Sequence, residues 1–441
     1  VAGTGMRWAF APCIAVPQNP RWGRTYEGYS DDTGLVAELG AAAVIGLQGK
    51  SLSADPASVL ACAKHFIGDG GTVNGKDQGN MVCDEATIRA KYLPPYIAAI
   101  KAGVGSIMVS YNSWNGEKLH GQKHLLTDVL KNELGFRGFL VSDWAAIDQI
   151  DEKNFKHCVE RSINAGLDMI MIPNGPGKAN NYVEFIADLK ALIAEGKVPQ
   201  SRIDDAVRRI LRIKFEMGVF QNKATDPALT AAIGSPEHRA IARQCVRESL
   251  VLLKNDNRVL PLSKNIRRLA IVGIGADDLG MQCGGWTVDW QGGRGNIMRG
   301  GTTLLAAIRQ TVSADTKVSF SPDAGNVKDA DVIIAVVGEP PYAEGNGDRE
   351  HPELSAQDVA LIAKAKAGGA PVVTVLYSGR PLKLGQALAD SSAFVAAWLP
   401  GTEGLGMTDV LFGDNPFTGK LPFAWRDEPG IEKQLAARAG K

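Results

Sequence analysis

Asp143 closes the run Phe139-Leu140-Val141-Ser142-Asp143-Trp144, in which three apolar residues give way to Ser, Asp and an indole. An ionised carboxyl at the end of so apolar a strand is costly unless it is paired or used. In parallel α/β barrels the carboxyl ends of the strands carry the active site. An Asp beside a Trp able to stack on a ring-shaped ligand suits sugar chemistry. The competing reading, an Asp that caps the next helix, fits this segment equally well.

Other segments offer partners. Lys64-His65 ends a second apolar run, where two donors can grip vicinal hydroxyls; the alternative is a satisfied structural histidine. Gly68-Asp69-Gly70-Gly71-Thr72 must be a tight loop, with Asp69 either lining a site or holding the loop. Arg21-Trp22-Gly23-Arg24 lies near Asp31 and Asp32, so its arginines either fork onto a ligand or stiffen a long loop. Asp168 rivals Asp143 as a reacting carboxylate, but it sits inside the run Leu167-Asp168-Met169-Ile170-Met171 rather than at its end, which favours a supporting or structural role.

Toward the C-terminus, Gly338-Glu339-Pro340-Pro341-Tyr342-Ala343-Glu344 leads a polar loop out of an apolar strand. It can supply a catalytic acid or be a solvated acidic loop. Paired with Asp143 it permits carboxylate-pair glycoside chemistry, in which retaining enzymes hold the two groups roughly 5–5.5 Å apart. Trp286 and Trp290 are flanked by glycines that supply no packing, which favours an exposed stacking platform over core. Gly273-Ile274-Gly275 is followed by Ala276-Asp277-Asp278-Leu279-Gly280, which breaks GxGxxG and puts acid where a pyrophosphate would sit.

The elements that must position these residues alternate between strand and helix. Apolar runs at 6–11, 59–66, 104–111, 137–143 and 166–172 each end in polar or special residues, with helical patterns between them. Run-on hydrophobic strands separated by helices indicate a parallel sheet covered by helices. Polar residues gathered at the strand ends favour a (β/α)8 barrel. Such a barrel needs eight strands and five are legible, so residues 1–217 read as a barrel lacking its first strands. Residues 218–240, with Asn222-Lys223-Ala224-Thr225-Asp226-Pro227, read as a linker. Residues 241–441 form a second α/β layer structure, with strands at 268–274, 316–320, 331–337, 371–377 and 393–398 and helices near 302–311 and 355–367.

Composition narrows the possibilities. The 441 residues carry 48 Lys+Arg against 48 Asp+Glu, and this balance draws the chain neither to nucleic acid nor to an anionic membrane. No apolar run approaches the roughly 18 residues of a membrane span. The six cysteines show no CxxC spacing, so buried thiols are expected rather than a metal or redox motif. The opening Val1-Ala2-Gly3-Thr4-Gly5 is neither an initiator Met nor a signal peptide, and reads as a start inside a domain.

In this order the motifs resemble glycoside hydrolase family 3, especially its β-glucosidases and exo-β-glucan glucohydrolases. The resemblance rests on Phe10-Ala11-Pro12-Cys13, Pro20-Arg21-Trp22-Gly23-Arg24, Ala63-Lys64-His65-Phe66, Met108-Val109-Ser110-Tyr111, Val141-Ser142-Asp143-Trp144, Ala165-Gly166-Leu167-Asp168-Met169, Leu252-Leu253-Lys254-Asn255 and Cys283-Gly284-Gly285-Trp286. Val337-Gly338-Glu339, Tyr377-Ser378-Gly379-Arg380-Pro381 and Trp398-Leu399-Pro400-Gly401 extend it along nearly the whole chain.

The resemblance implies a (β/α)8 barrel followed by an α/β sandwich, with the active site in the cleft between them. It implies Asp143 as nucleophile and Glu344 as acid/base, with Glu339 as the rival position. Arg24, Lys64, His65 and Tyr111 would hold the innermost glucosyl unit, and Trp144 and Trp290, with Trp286 beside them, the next sugar. It implies β-linked glucosides or oligosaccharides as partners, no cofactor or metal, and a periplasmic or secreted setting. Two departures stand out: an Asp on an earlier barrel strand of the family lies before this chain's start, and Gln78 occupies a family Glu position, with Asp77 adjacent. The loop Ile67–Val73 lacks the His of the family's N-acetylglucosaminidases. A β-xylosidase and an inactive, truncated sugar-binding fragment are the other readings.

Overall fold

The computed structural model describes residues 1–221, 224–325, 327–425, 428 and 431. It resolves two compact units: Val1–Trp22 with Glu27–Ile233, and Gly23–Tyr26 with Gly234–Lys441.

In the first unit the strands Cys62–Phe66, Ser106–Val109 and Phe139–Val141 pair in parallel in chain order. Single bridges extend the order on both sides, through Trp8 to Leu60, Cys13 to Lys64 and Val141 to Met169. The expected strands at 6–11 and 166–172 are therefore present only as isolated pairings. Pro12 supplies no donor on one side, and on the other Asp168 turns its carboxylate to the Leu140 amide at 2.8 Å.

Side chains alternate across this sheet, as strand geometry demands. Ala61, Ala63, Ile107, Val109 and Leu140 enter a large core with the covering helices, among them Thr33–Gln48, Pro94–Lys101 and Phe155–Ala165. Leu60, Cys62, Met108, Phe139 and Val141 form a smaller cluster on the opposite face, joined by Ile213 and Met217. A sheet buried on both faces accounts for the run-on apolar character of its strands.

The helices start where capping residues allow. Asp32 accepts the Leu35 amide at 2.7 Å and so caps Thr33–Gln48. Asn181 and Glu184 form a reciprocal capping box for Tyr182–Ala194. The stretch 218–240 is more regular than its composition implies. Asp226 and Ser235, each followed by a proline, cap Pro227–Ala231 and Pro236–Ser249. Asn222 and Lys223 of that stretch lie outside the described residues.

The second unit is built on a six-stranded sheet in the order Val251–Asn255, Ala393–Trp398, Val372–Tyr377, Val332–Gly338, Arg268–Val272, Lys317–Ser321. All neighbours are parallel except Val251–Asn255, which runs antiparallel to Ala393–Trp398. This strand is absent from the sequence reading. Its apolar run follows directly on a helix, and an antiparallel edge needs no crossover helix to announce it. Ile271, Ile334, Val375 and Val395 face one core and Val272, Ala335, Leu376 and Ala396 the other, so this sheet too is covered on both faces. Cys62 and Cys158 are buried but Cys245 is exposed, so burial does not extend to every thiol.

Candidate active site

The expected site residues fall into two groups. Asp143, Trp144, Lys64, His65 and Tyr111 belong to the first unit, and Arg24, Glu344, Trp286 and Trp290 to the second.

Asp143 follows the strand Phe139–Val141, and His65 and Tyr111 lie at the same carboxyl ends of the neighbouring parallel strands. The His65 ring is held between two carboxylates: Nδ1 lies 2.9 Å from Asp69 Oδ2 and Nε2 3.5 Å from Asp143 Oδ2. The other Asp69 oxygen accepts the Gly70 amide at 3.0 Å. Asp69 thus holds its own loop, one of the two readings its sequence allows, and it also orients the histidine that faces Asp143. One Asp143 oxygen accepts the Trp144 amide at 2.7 Å. The capping reading of Asp143 would need a longer reach, to an amide two or three residues on.

The main chain of Asp143 is fixed as firmly as its side chain. Its N–H donates to His120 Nε2 at 3.1 Å. An acceptor nitrogen cannot carry a proton, and the surroundings agree: burial, then the nearby Lys118 charge, push the His120 pKa down to about 3 against a hydrogen bond with the Ser110 backbone. Ser142 adds a second brace, its Oγ accepting the Met171 amide at 2.7 Å. Tyr111 donates its hydroxyl to the Trp144 carbonyl. The Trp144 side chain itself is 61% exposed, an unusual place for an indole. Lys64 is half-buried in the strand Cys62–Phe66.

Beneath this group Asp168 accepts from Lys131 Nζ at 2.8 Å and from Arg202, with the Leu140 amide as a third donor. Its side chain is fully buried and committed to the scaffold, the structural role its sequence position favours. Asp77 accepts the Trp22 indole N–H at 2.9 Å, and Gln78 accepts from Gln149 at 2.9 Å.

In the second unit Glu344 opens a short turn, Glu344–Gly347, with its own φ at 54°. Arg24 Nη1 donates to Glu344 Oε1 at 3.3 Å. The segment carrying Arg24 is threaded tightly here: a Cβ on Gly23 would meet the Glu344 carbonyl oxygen at 2.0 Å, so only glycine fits. The Gly23 amide donates to Asp348 at 2.8 Å and the Tyr26 hydroxyl to the Tyr342 carbonyl at 2.8 Å.

Glu339, the rival acid, has a different fate. Arg380, wholly buried, places Nε 3.2 Å from Glu339 Oε1 and 3.0 Å from the Tyr342 hydroxyl. That hydroxyl donates to Glu339 Oε2 at 2.9 Å, and the Gly379 amide donates to the same oxygen at 3.2 Å. The guanidinium lies 4.6 Å from the centre of the Tyr342 ring and also donates to the Gly347 carbonyl. Glu339 is locked into a buried network, while the Glu344 side chain keeps part of its surface exposed.

Trp286 and Trp290 are 49% and 51% exposed on one glycine-rich loop, as their flanking residues predict. The loop closes on itself through the Trp286 amide to the Trp290 carbonyl, 3.0 Å. The sequence assigns no role to His120, Arg380, Tyr342 or Gln291. Arg380 lies in Tyr377-Ser378-Gly379-Arg380-Pro381 and Tyr342 in Gly338-Glu339-Pro340-Pro341-Tyr342-Ala343-Glu344, while the other two carry no spacing signal.

Residues 1–213 match the glycosyl hydrolase family 3 N terminal domain, and residues 250–438 match the glycosyl hydrolase family 3 C-terminal domain. The chain belongs to glycoside hydrolase family 3. A periplasmic beta-glucosidase of Salmonella typhimurium is 34% identical over 96% of this chain and 59% of its own length. The exo-1,3/1,4-beta-glucanase ExoP of a Pseudoalteromonas species has a crystal structure that superposes with a TM-score of 0.90 at 43% identity, covering 96% of this chain and 55% of that one. A Listeria innocua beta-glucosidase, solved with gluconolactone, gives a TM-score of 0.87 at 30% identity over 96% and 59% of the two chains. The chain therefore spans between half and two thirds of the length of these relatives. Among the described residues no helix is long and apolar enough to cross a membrane.

Proposed function

We propose that this chain carries the catalytic machinery of a retaining, exo-acting β-glucosidase that releases glucose from non-reducing ends of β-glucans, cello-oligosaccharides or aryl β-glucosides. The observation that carries the reading is Asp143: a carboxylate at a strand's carboxyl end, faced by an oriented histidine, braced through its amide and set beside an exposed indole. The reading includes the first unit as part of a (β/α)8 barrel, supported by the chain-ordered parallel pairings from Trp8 to Met169.

The chemistry runs in two displacements. Glu344 gives its proton to the glycosidic oxygen while the Asp143 carboxylate attacks the anomeric carbon, so the C–O bond to the leaving group breaks as the C–O bond to Asp143 forms. Glu344, now a base, takes a proton from water, which attacks the same carbon. The ester to Asp143 breaks and glucose leaves with its configuration retained. Glu344 is preferred to Glu339 because Glu339 is buried against Arg380 and Tyr342. Arg24, Lys64, His65 and Tyr111 hold the glucosyl unit, and Trp144, Trp286 and Trp290 stack on the sugar that follows. Likeness to the Salmonella protein supports a setting outside the cytoplasm.

Hydrolysis of p-nitrophenyl β-glucoside, β-xyloside and β-N-acetylglucosaminide tests the reading. The glucoside should be cleaved fastest, and Asp143→Ala should abolish cleavage. A chain that cleaves the xyloside faster, or an active Asp143→Ala variant, overturns it.

A further inference from the structure

Gln291 lies one residue beyond Trp290, and its side chain does not face solvent as a loop glutamine ordinarily would. Its Oε1 accepts the Ala343 amide at 3.0 Å and its Nε2 donates to the Ala343 carbonyl at 3.3 Å. Both polar groups of one residue's main chain are thus paired with both ends of one carboxamide, a fit that fixes orientation as well as distance. Ala343 immediately precedes Glu344 and is the residue from which the Glu344–Gly347 turn starts.

The loop that carries Gln291 is anchored at its far end, where Asp278 accepts the Gly295 amide at 2.7 Å and Gly295 accepts the Gly280 amide at 2.8 Å. Gly292 has φ of 71°, and a Cβ there would strike the Gly284 carbonyl oxygen at 2.5 Å, so the chain folds back tightly just after Gln291. The loop is therefore hydrogen-bonded on both sides of the glutamine. Gln291 thus links the loop that carries Trp286 and Trp290 to the backbone at Ala343.

From this geometry we infer that Gln291 is a positioning residue for the acid/base. It ties the sugar-stacking loop to the Glu344 turn, so that a sugar seated on Trp286 and Trp290 sets the carboxyl that protonates its leaving oxygen. The inference rests on the proposed roles of Glu344 and of the tryptophans. Its specific consequence concerns the leaving group. A misplaced acid slows departure of poor leaving groups and hardly affects groups that depart without a proton.

The test measures kcat/KM, which reports the first displacement, for phenyl and 2,4-dinitrophenyl β-glucosides and for laminaribiose. It compares wild type, Gln291→Ala, Gln291→Glu and Glu344→Ala. Gln291→Ala should lower kcat/KM on laminaribiose and the phenyl glucoside by about 10–100-fold, part of the range general acids supply. On the dinitrophenyl glucoside it should stay within about threefold of wild type. Gln291→Glu, which keeps the acceptor but loses the donor, should fall between. If Gln291→Ala lowers all three substrates equally, or none, while Glu344→Ala shows the leaving-group dependence, the inference is wrong and the acid assignment stands. If Glu344→Ala itself shows no leaving-group dependence, the acid assignment is wrong. A thermal melt of Gln291→Ala near wild type separates positioning from unfolding.

Discussion

His120 Nε2 accepts the backbone N–H of Asp143 at 3.1 Å, so the residue read as nucleophile is held by its main chain through a buried, neutral imidazole. The bond exists only while that nitrogen is unprotonated. In the unfolded chain the same side chain takes up a proton near pH 6.5.

Acid stability follows from that difference. The folded-state pKa is depressed to about 3, so between pH 6.5 and 3 the unfolded state binds a proton that the folded state refuses. Stability should therefore drop as the pH is lowered through this window, by about 1.4 kcal/mol per unit from this group alone. Above pH 6.5 both states are neutral at this site and it contributes no slope. Chemical denaturation from pH 7 to 4 checks this: His120→Gln should show a shallower acid limb than wild type. An unchanged limb would assign acid sensitivity to other groups.

Asp168 binds Lys131 and Arg202 where no water reaches its side chain. Burial pushes the Lys131 ammonium down to about 8 despite its carboxylate partner, a measure of how strongly that charge depends on the pair. Asp168→Asn would strand two cations, and should cost about 3–5 kcal/mol in denaturant melts. Activity per folded molecule should change little, because Asp168 touches none of the proposed sugar-binding groups.

Glu339 and Glu344 should respond in opposite ways to the same substitution. Glu339→Gln leaves Arg380 buried against a neutral amide, and should lower stability by about 3 kcal/mol while sparing turnover of the remaining folded protein. Glu344→Gln should cost less stability, because the Glu344 side chain keeps part of its surface exposed beside Arg24, and should remove acid catalysis, about a hundredfold or more on substrates with poor leaving groups. Parallel melts and kinetics on the two variants decide it.

The exposed indoles predict a binding effect without a stability effect. Trp290→Ala removes a side chain that is 51% exposed, so the melt should hold. KM for a disaccharide should rise about fivefold, the worth of an aromatic contact of roughly 1 kcal/mol. The p-nitrophenyl glucoside, with a smaller group beyond the glucosyl unit, should be less affected.

What could be read from the sequence tracks how local each signal is. Val332–Gly338 and Val372–Tyr377 are visible as strands because burial on both faces makes every position apolar. Trp286 and Trp290 are readable as exposed because glycines surround them. Asp168 is readable as structural because it sits within its apolar run. His120 is not readable: its partner is a backbone amide 23 positions away, and neither residue type nor spacing marks that bond. Arg380 lies within a quoted motif, yet its burial against Glu339 depends on which strand pairs with which, and Gly338 opposite Tyr377 in register brings them together. The choice between Glu339 and Glu344 is open in sequence for this reason, since burial is what distinguishes them.

Asp143 carries the account, and covalent trapping tests it most directly. Incubation with 2,4-dinitrophenyl 2-deoxy-2-fluoro-β-glucoside should slow the second displacement and leave a fluoroglucosyl ester, which peptide mass spectrometry can locate. The account predicts a single adduct on Asp143 in the peptide Gly138-Phe139-Leu140-Val141-Ser142-Asp143-Trp144. The adduct should be absent from Asp143→Ala and still formed by Glu344→Gln, because dinitrophenolate departs without a proton. An adduct on any other carboxylate, or hydrolysis without an adduct that releases 2-deoxy-2-fluoroglucose with inverted anomeric configuration, would contradict it.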